Sequence, residues 1–171
     1  MNYLTVPLDS TFNRKLFSCG KPVLDDYLYK QVYQDIKKRL SAAFVYPDSV
    51  RPEVIKGYYT LSNNSISKAI VPEKFSNKFP NYTIPTTLLG RLAIDHKFKG
   101  KGLGALLLLD ALKRSYDLSK MIGSCAVIVD PLDKEAESFY LKYGFIWLPD
   151  GKQLFLSMAE IQQLIAMFIK F

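Results

Sequence analysis

The sequence predicts a single-domain α/β fold in which helices flank a mixed central sheet, and three observations support this prediction. The chain has 171 residues, the length of one ordinary domain. Its composition, 49% hydrophobic and 23% charged residues, is typical of globular proteins and not of disordered ones. Segments with helical and with strand-like patterns alternate along the chain. We therefore expect residues 1–171 to form one domain without internal repeats.

The first half of the chain is predicted to contain one long helix and two strands before a loop. Apolar side chains recur every four residues between positions 21 and 40, which predicts a helix there. These residues are Leu24, Leu28, Val32, Ile36 and Leu40. Ala42–Tyr46 and Val54–Leu61 have the composition of strands. Residues 62–86 are polar and contain three prolines, so a long loop with short pieces of structure is expected.

The second half is predicted to alternate between strands and helices. We expect strands at Thr87–Ile94, Ser124–Val129 and Lys152–Ser157, and helices at Gly102–Leu118, at Asp133–Tyr143 and after Ser157. The first of these helices is apolar nearly all round in its first half, which predicts burial between layers. Asp133 is a suitable N-cap, and Gly144 is well placed to end the helix that follows it.

Composition also excludes several classes of protein. The chain contains two cysteines, Cys19 and Cys125, and one histidine, so a zinc site built from several Cys and His ligands is excluded. No metal is expected. The longest apolar stretches are too short to span a bilayer, and no charged leader precedes an apolar core at the start. We therefore expect no contact with a membrane and a cytoplasmic location.

Positive charge is concentrated in two stretches of the chain. The net charge is +7. Residues 11–40 hold seven basic and three acidic residues, and residues 62–101 hold seven basic and two acidic ones, whereas residues 102–150 carry a small acidic excess. A solvated surface explains such stretches in many proteins. The alternative is a surface that binds a polyanion, either nucleic acid or a phosphorylated cofactor.

A glycine-rich turn lies between the strand that ends near Ile94 and the leucine-rich helix. Gly100, Gly102 and Gly104 let a ligand approach the backbone, and the helix after them offers free N–H groups, so the turn is suited to phosphate. The dinucleotide fingerprint fails because Leu107 stands where it needs glycine, and a P-loop fails because Ala105 follows Gly104. A purely structural turn is the remaining alternative.

This turn resembles motif A of the GNAT superfamily of acetyl-CoA-dependent N-acetyltransferases, Gln/Arg-x-x-Gly-x-Gly/Ala. Here the segment is Lys99-Gly100-Lys101-Gly102-Leu103-Gly104, preceded by the strand Arg91–Asp95, and Lys99 stands where Gln or Arg is usual. Farther along, Ala136-Glu137-Ser138-Phe139-Tyr140-Leu141-Lys142-Tyr143-Gly144-Phe145 resembles motif B, Ala-x-x-Phe-Tyr-x-x-x-Gly-Phe. The two motifs in this order imply the GNAT fold and acetyl-CoA as cosubstrate.

A narrower resemblance covers about residues 4 to 158. Phe17-Ser18-Cys19-Gly20, Gly57-Tyr58-Tyr59-Thr60-Leu61-Ser62 and Leu89-Gly90-Arg91-Leu92-Ala93-Ile94-Asp95 are similar to segments of the GNAT toxins of bacterial type II toxin–antitoxin pairs. The resemblance implies acetylation of the α-amino group of aminoacyl-tRNA, which stops translation. It also implies neutralisation by a ribbon-helix-helix antitoxin, and a homodimer.

The resemblance assigns roles to individual residues. Tyr140 is the expected general acid for the departing coenzyme A thiolate, because a phenol stays protonated at neutral pH; the alternative is a packed aromatic beside Phe139. No acidic general base is obvious. The residues expected to contact acetyl-CoA are Leu92, Ala93, Ile94, Lys99, Gly100, Lys101, Gly102, Leu103, Gly104, Ala105, Asp133 and Phe139. The basic residues left for tRNA are Lys30, Lys37, Lys38, Arg39, Lys74 and Lys78.

Other candidate residues are weaker. His96 could touch phosphate, although an exposed loop histidine is the simpler interpretation. A cysteine nucleophile is rejected, because Cys125 lies in an apolar strand and Cys19 has no activating neighbour in sequence. Tyr58 and Tyr59 could stack on a base, line the acceptor groove or pack in the sheet.

Three functions follow from the sequence. A toxin acetylating aminoacyl-tRNA explains the basic stretches. A GNAT enzyme for a small amine or a protein amino group leaves those stretches unexplained, and a non-catalytic RNA-binding module leaves motif B unexplained.

Overall fold

The computed structural model describes residues 2–169, which form seven strands and six α-helices within that range. The strands are β1 (Val6–Pro7), β2 (Ala42–Pro47), β3 (Ile55–Ile66), β4 (Ile84–Ile94), β5 (Ala126–Val129), β6 (Ile146–Trp147) and β7 (Leu154–Ser157). The helices are α1 (Pro22–Asp26), α2 (Val32–Lys37), α3 (Glu73–Ser76), α4 (Leu103–Ser119), α5 (Lys134–Lys142) and α6 (Met158–Ile169).

The strands form one mixed sheet in the order β1-β2-β3-β4-β5-β7-β6. The pairs β1–β2, β2–β3, β5–β7 and β6–β7 are antiparallel, whereas β4 and β5 are parallel. Helix α4 provides the long connection that a parallel pair requires. The predicted α/β class with a mixed central sheet is confirmed.

Contacts divide the chain into two compact units, each with its own apolar core. The first unit comprises the chain up to Ser62 together with Gly90–Ala111. In its core, Phe17, Leu28 and Val32 pack with Val45 and Tyr58, and all five are at most 1% exposed. Burial of this apolar surface holds the segment before α1, the α1–α2 region and the first strands together.

The second unit comprises Asn63–Leu89 and the chain from Leu112 onward. Its core contains Ile84, Ile128, Leu148 and Phe155, all at most 2% exposed. Strand β5 is buried at all four positions, as its continuous apolar run predicts. The assignment of residues 1–171 to one domain stays a prediction.

The predicted helix over 21–40 differs from the structure in two respects. A π-helical turn, Tyr27–Gln31, separates α1 from α2, so the helical region is not a regular α-helix. Helix α2 ends at Lys37, and Arg39 has a left-handed backbone with φ of 56°. Leu40 therefore lies beyond the helix and is 61% exposed, although it continues the apolar spacing. The spacing of apolar residues alone does not predict a change of helical pitch. It also does not predict where a helix ends when no glycine or proline marks the end.

Other strand and helix boundaries differ for local reasons. The two-residue strands β1 and β6 were not predicted, because two residues carry no periodicity. The predicted loop over 62–86 is shorter, since β3 continues to Ile66 and β4 begins at Ile84. On α4, Leu107, Leu108 and Leu112 are fully buried, but Leu106 is 42% exposed, so burial of its first half is incomplete. Within residues 2–169, no helix is long and apolar enough to cross a membrane.

Candidate active site

The glycine turn connects a short 3₁₀ turn, His96–Phe98, to the start of α4. Gly100 and Gly102 have φ of 77° and 74°, in the left-handed region, and a Cβ on either would meet no atom within 4 Å. Backbone conformation, and not lack of space, therefore requires glycine here. The first backbone N–H groups of a helix have no intrahelical acceptor and lie at the positive end of its dipole. The residues present fit a pyrophosphate such as that of acetyl-CoA.

A buried aspartate supports the segment that leads into this turn. Asp95 is 2% exposed, and its carboxylate accepts hydrogen bonds from the backbone N–H groups of Ser18 (3.1 Å) and Lys97 (2.9 Å). The backbone N–H of His96 donates to the Ser18 carbonyl (2.9 Å), and so does its ring Nδ1–H (2.7 Å). The His96 side chain is 58% exposed, in agreement with the simpler interpretation of an exposed loop histidine.

Lys99 and Lys101 differ in their contacts, although both are exposed lysines of the turn. The Lys99 Nζ donates a hydrogen bond to the Cys19 carbonyl at 2.7 Å. The Lys101 Nζ lies 5.8 Å from the centre of the Phe98 ring. Lys99 therefore connects the turn to the segment before α1 through one of its three N–H donors. The sequence did not indicate this contact.

The end of β4 is packed closely against β3 within the first unit. Ala93 and Ile94 are buried and Leu92 is half-buried. A Cβ on Gly57 would lie 2.6 Å from Ile94 Cδ1, 3.0 Å from the Ala93 carbonyl oxygen and 3.2 Å from Leu107 Cδ2. Glycine is therefore required at position 57 by close approach. It lets the backbone at Ala93 lie directly against β3.

Helix α5, in the second unit, carries Tyr140. Its N-cap is Asp133, whose Oδ1 accepts a hydrogen bond from the Ala136 N–H at 2.8 Å, and Gly144 follows with φ of 91°. Both ends of the helix thus agree with the predicted cap and stop signals.

Aromatic rings surround the Tyr140 side chain. Its ring is edge-to-face with Phe139 and Phe145, with centroids 5.3 Å apart in both pairs, and the residue is 7% exposed. Burial raises the pKa of the Tyr140 phenol above its usual value. Within residues 2–169 its hydroxyl makes no hydrogen bond. Tyr140 is therefore a packed aromatic, as one interpretation of the sequence held, and its role as general acid stays a prediction.

The six basic residues predicted to bind tRNA occupy exposed positions in both units. Lys37, Lys38 and Arg39 lie at the end of α2, and Lys78 lies in the loop after α3. Lys30 forms an exposed ion pair with Asp26 at 3.3 Å. Lys74 also forms an ion pair, with the half-buried Glu160 at 2.8 Å.

The remaining candidates take structural positions. Tyr58 and Tyr59 are fully buried, so they pack in the sheet and the alternative of base stacking is wrong. Burial raises the pKa of the Cys19 and Cys125 thiols to about 11, which agrees with the rejection of a cysteine nucleophile. Within residues 2–169 no three His, Cys, Asp or Glu residues are grouped as metal ligands.

Sequence reasoning missed the contacts of two charged side chains of the first unit. Asp110 is 5% exposed on α4 and accepts hydrogen bonds from the Leu4 N–H (2.6 Å) and from the hydroxyls of Thr5 (2.5 Å) and Tyr59 (2.8 Å). The Arg91 guanidinium lies 3.4 Å from the centre of the Tyr27 ring. Asp110 interrupts the leucine run of α4, and an acidic residue within an apolar helix is the signal that could have revealed it.

Comparison with known proteins identifies the relatives of this chain. Residues 24–154 match the family model described as the acetyltransferase (GNAT) domain. A protein of Mycobacterium tuberculosis strain H37Rv named tRNA-acetylating toxin is 37% identical over 150 residues, which are 87% of this chain and 88% of that protein.

Two solved structures are similar in fold over nearly the whole chain. AtaT complexed with acetyl-methionyl-tRNAfMet has a TM-score of 0.86 and 28% identity, and the match covers 95% of this chain and 99% of that one. A tyrosine-to-phenylalanine mutant of AtaT, bound to the C-terminus of the antitoxin AtaR and to acetyl-CoA, has a TM-score of 0.80 and 26% identity, with 94% and 96% covered.

Proposed function

The chain belongs to the GNAT acetyltransferase family and is an acetyl-CoA-dependent N-acetyltransferase, and we propose that it acetylates the α-amino group of aminoacyl-tRNA as the toxin of a type II toxin–antitoxin pair. The observation that carries this proposal is its 37% identity, over 87% of the chain, to a tRNA-acetylating toxin. The similarity in fold to AtaT complexed with acetyl-methionyl-tRNAfMet supports the same acceptor.

In this proposal the first unit binds the diphosphate and orients the acetyl group. Backbone N–H groups from Gly100 to Ala105 receive the pyrophosphate, and Lys99 and Lys101 add positive charge. Leu92, Ala93 and Ile94 position the acetyl carbonyl through their backbone groups. They lie past Leu89, whose pairing with Val129 is the last pair between β4 and β5. Asp133 and Phe139 stay predicted contacts of the coenzyme.

Tyr140 is proposed as the general acid. The amine of the aminoacyl group attacks the acetyl carbonyl carbon, a C–N bond forms and the C–S bond breaks. Tyr140 then donates its proton to the departing thiolate sulfur. The raised pKa of its buried phenol keeps that proton in place at neutral pH. An α-ammonium beside an ester is more acidic than an ordinary ammonium, so the amine attacks in its neutral form. The nitrogen then releases a proton to water as the C–N bond forms, and water returns a proton to the Tyr140 phenolate.

The tRNA backbone is proposed to contact exposed basic residues. Lys37, Lys38, Arg39 and Lys78 are solvent-exposed, and Lys30 is engaged only in an exposed ion pair of small energy. Lys74 has to break its ion pair with Glu160 before it can bind a phosphate, so we expect it to contribute less to tRNA binding. Each phosphate contact adds salt dependence to tRNA binding.

Three further features complete the proposal. We expect a ribbon-helix-helix antitoxin, a homodimer and a cytoplasmic location, where charged tRNA and acetyl-CoA occur together. The AtaT mutant bound to the C-terminus of its antitoxin supports the first of these. Size-exclusion chromatography with light scattering measures the oligomeric state directly.

The decisive experiment supplies the protein with labelled acetyl-CoA and four acceptors: charged tRNA, deacylated tRNA, free amino acids and ribosomal proteins. We expect label on charged tRNA only, and its release with the amino acid on mild alkaline hydrolysis of the ester. Tyr140→Phe serves as the inactive control. Label on proteins or free amines, with charged tRNA unlabelled, would overturn the proposal and favour a GNAT enzyme for small amines or protein amino groups.

A further inference from the structure

A groove in the first unit lies apart from the glycine turn and from the end of β4. It has a volume of about 710 Å³ and is bounded by residues 10–15, Tyr29, Lys30 and Glu53. This volume is within the range of about 300–1,000 Å³ that small-ligand sites occupy. None of the residues assigned above to acetyl-CoA lines this groove. Binding of acetyl-CoA therefore does not explain the presence of this groove.

One wall of the groove is the π-helical turn, which includes Tyr29 and Lys30. Arg14, which also lines the groove, donates from Nη1 to the carbonyls of Leu28 (2.8 Å) and Tyr29 (2.9 Å). Its guanidinium also lies 4.0 Å from the centre of the Tyr33 ring. A π-turn is an irregularity found frequently at functional sites, and here it is fixed in place by the residues that face it.

The chemistry of the lining matches a nucleotide. Lys15 and Lys30 are exposed, with Lys30 also in an exposed ion pair with Asp26, and Arg14 adds a third positive charge. Phe12 and Tyr29 are half-buried, so each presents part of an aromatic ring. Cationic side chains beside aromatic rings are the combination by which proteins hold single-stranded nucleic acid, because the cations pair with phosphates and the rings stack on bases.

The carboxylate of Glu53 distinguishes between possible ligands. An acidic peptide would be repelled by Glu53 within the groove, whereas a base carries amino groups that can donate to a carboxylate. The half-buried rings of Phe12 and Tyr29 also favour a flat aromatic ligand, because such a ligand can stack on them. We propose that this groove binds an unpaired nucleotide of the RNA substrate, with its phosphate at Lys15 and Lys30 and its base at Phe12 and Tyr29; this rests on the proposed function.

A direct measurement of oligonucleotide binding tests the proposed groove independently of catalysis. The probe is a fluorescein-labelled single-stranded oligoribonucleotide, titrated by anisotropy at several salt concentrations, with double-stranded RNA and polyglutamate as competitors. For Lys15→Gln/Lys30→Gln we expect weaker binding, and a slope of log Kd against log salt that is lower by about 1.4, since each single-strand phosphate contact contributes about 0.7. The matched control is Lys152→Gln, an exposed lysine of the second unit, which should bind as the wild type does.

A second variant separates stacking from folding. Phe12→Leu keeps an apolar side chain against the core but removes the ring, so we expect an unchanged melting temperature and about tenfold weaker oligonucleotide binding. Unchanged binding in both the lysine and Phe12 variants, or competition by polyglutamate as strong as by single-stranded RNA, would overturn the inference.

Acetylation kinetics distinguish failure of the groove from failure of the proposed function. We expect the double lysine variant to raise KM for charged tRNA while KM for acetyl-CoA stays unchanged. If the wild type binds the oligonucleotide but does not acetylate charged tRNA, the proposed function fails and the groove remains. If the wild type acetylates charged tRNA with a KM that the groove variants do not alter, the groove fails and the function remains.

Discussion

The glycine turn and helix α5 are held in place by different forces. The turn depends on hydrogen bonds from residues about eighty positions earlier, with Lys99 bound to the Cys19 carbonyl and Asp95 to the Ser18 N–H. Tyr140 instead rests on aromatic neighbours from its own stretch of chain, Phe139 and Phe145. A polar loop suited to a charged ligand needs fixed backbone donors, whereas the apolar surrounding of Tyr140 favours the neutral form of its phenol.

The largest effect should come from removing the hydroxyl of Tyr140. Tyr140→Phe keeps all the ring contacts and removes only the proton donor, so we expect kcat to fall by at least about 100-fold with the melting temperature unchanged. Steady-state acetylation of charged tRNA measures the fall. Tyr143→Phe is the matched control, because Tyr143 also packs against Phe139 and should retain near wild-type activity.

The pH profile of the wild type tests the same donor. Since burial raises the pKa of the Tyr140 phenol, its protonated form persists to higher pH than that of an exposed tyrosine. Initial rates at saturating substrate, quenched within seconds because alkali hydrolyses the aminoacyl ester, should therefore show no loss of activity up to about pH 9, below the pKa of about 10 of an exposed phenol. A fall in kcat well below that pH, absent from the residual activity of Tyr140→Phe, would contradict the role of burial.

Two N-cap aspartates, Asp95 before the His96–Phe98 turn and Asp133 before α5, provide the next comparison. Asp95→Ala removes the buried carboxylate that accepts part-buried hydrogen bonds from the N–H groups of Ser18 and Lys97, so we expect a loss of about 3 kcal/mol in the free energy of unfolding. Asp133→Ala removes an exposed N-cap and should cost about 1 kcal/mol. Urea unfolding followed by circular dichroism measures both. Equal losses of unfolding free energy in the two variants would contradict this comparison. The hydrogen bonds of Asp95 would then stabilise the glycine turn no more than the N-cap of Asp133 stabilises α5.

Local signals explain why both regions could be predicted from the sequence. Gly100 and Gly102 have left-handed backbones, Asp133 caps α5 and Gly144 follows its end, and each of these requirements involves only a few adjacent residues. The alternation of helices and strands gave the α/β class in the same way. Local chemistry therefore predicted the position of the turn, of α5 and of most strands.

Contacts between distant residues could not be predicted, because no pattern in the sequence marks them. The Ser18 and Cys19 carbonyls that receive His96 and Lys99 are backbone groups, which every residue has. The π-turn depends on Arg14, which reaches it from a separate segment. Its apolar spacing is the same as that of a regular helix, so the groove beside it became visible only in the structure.

The smallest effect expected separates the two lysines of the turn. Lys101→Gln removes a charge, whereas Lys99→Gln removes a charge and the hydrogen bond to the Cys19 carbonyl. An exposed charge contributes up to about 1 kcal/mol, and a hydrogen bond adds about 0.5–1.5 kcal/mol. We therefore expect KM for acetyl-CoA to rise up to about fivefold in Lys101→Gln and about tenfold in Lys99→Gln, since about 1.4 kcal/mol is a factor of ten.

Salt distinguishes the two causes, because ions screen an exposed charge but leave a short hydrogen bond to a carbonyl largely intact. At about 1 M salt, where the screening length is about 3 Å, the deficit of Lys101→Gln should disappear and that of Lys99→Gln should persist in part. Lys99→Arg, which keeps the charge and a donor, should restore most of the affinity at both salt concentrations. Equal KM values for the two Gln variants at high salt would mean that Lys99 acts as a phosphate ligand alone, and that long-range support of the turn comes from Asp95 and His96.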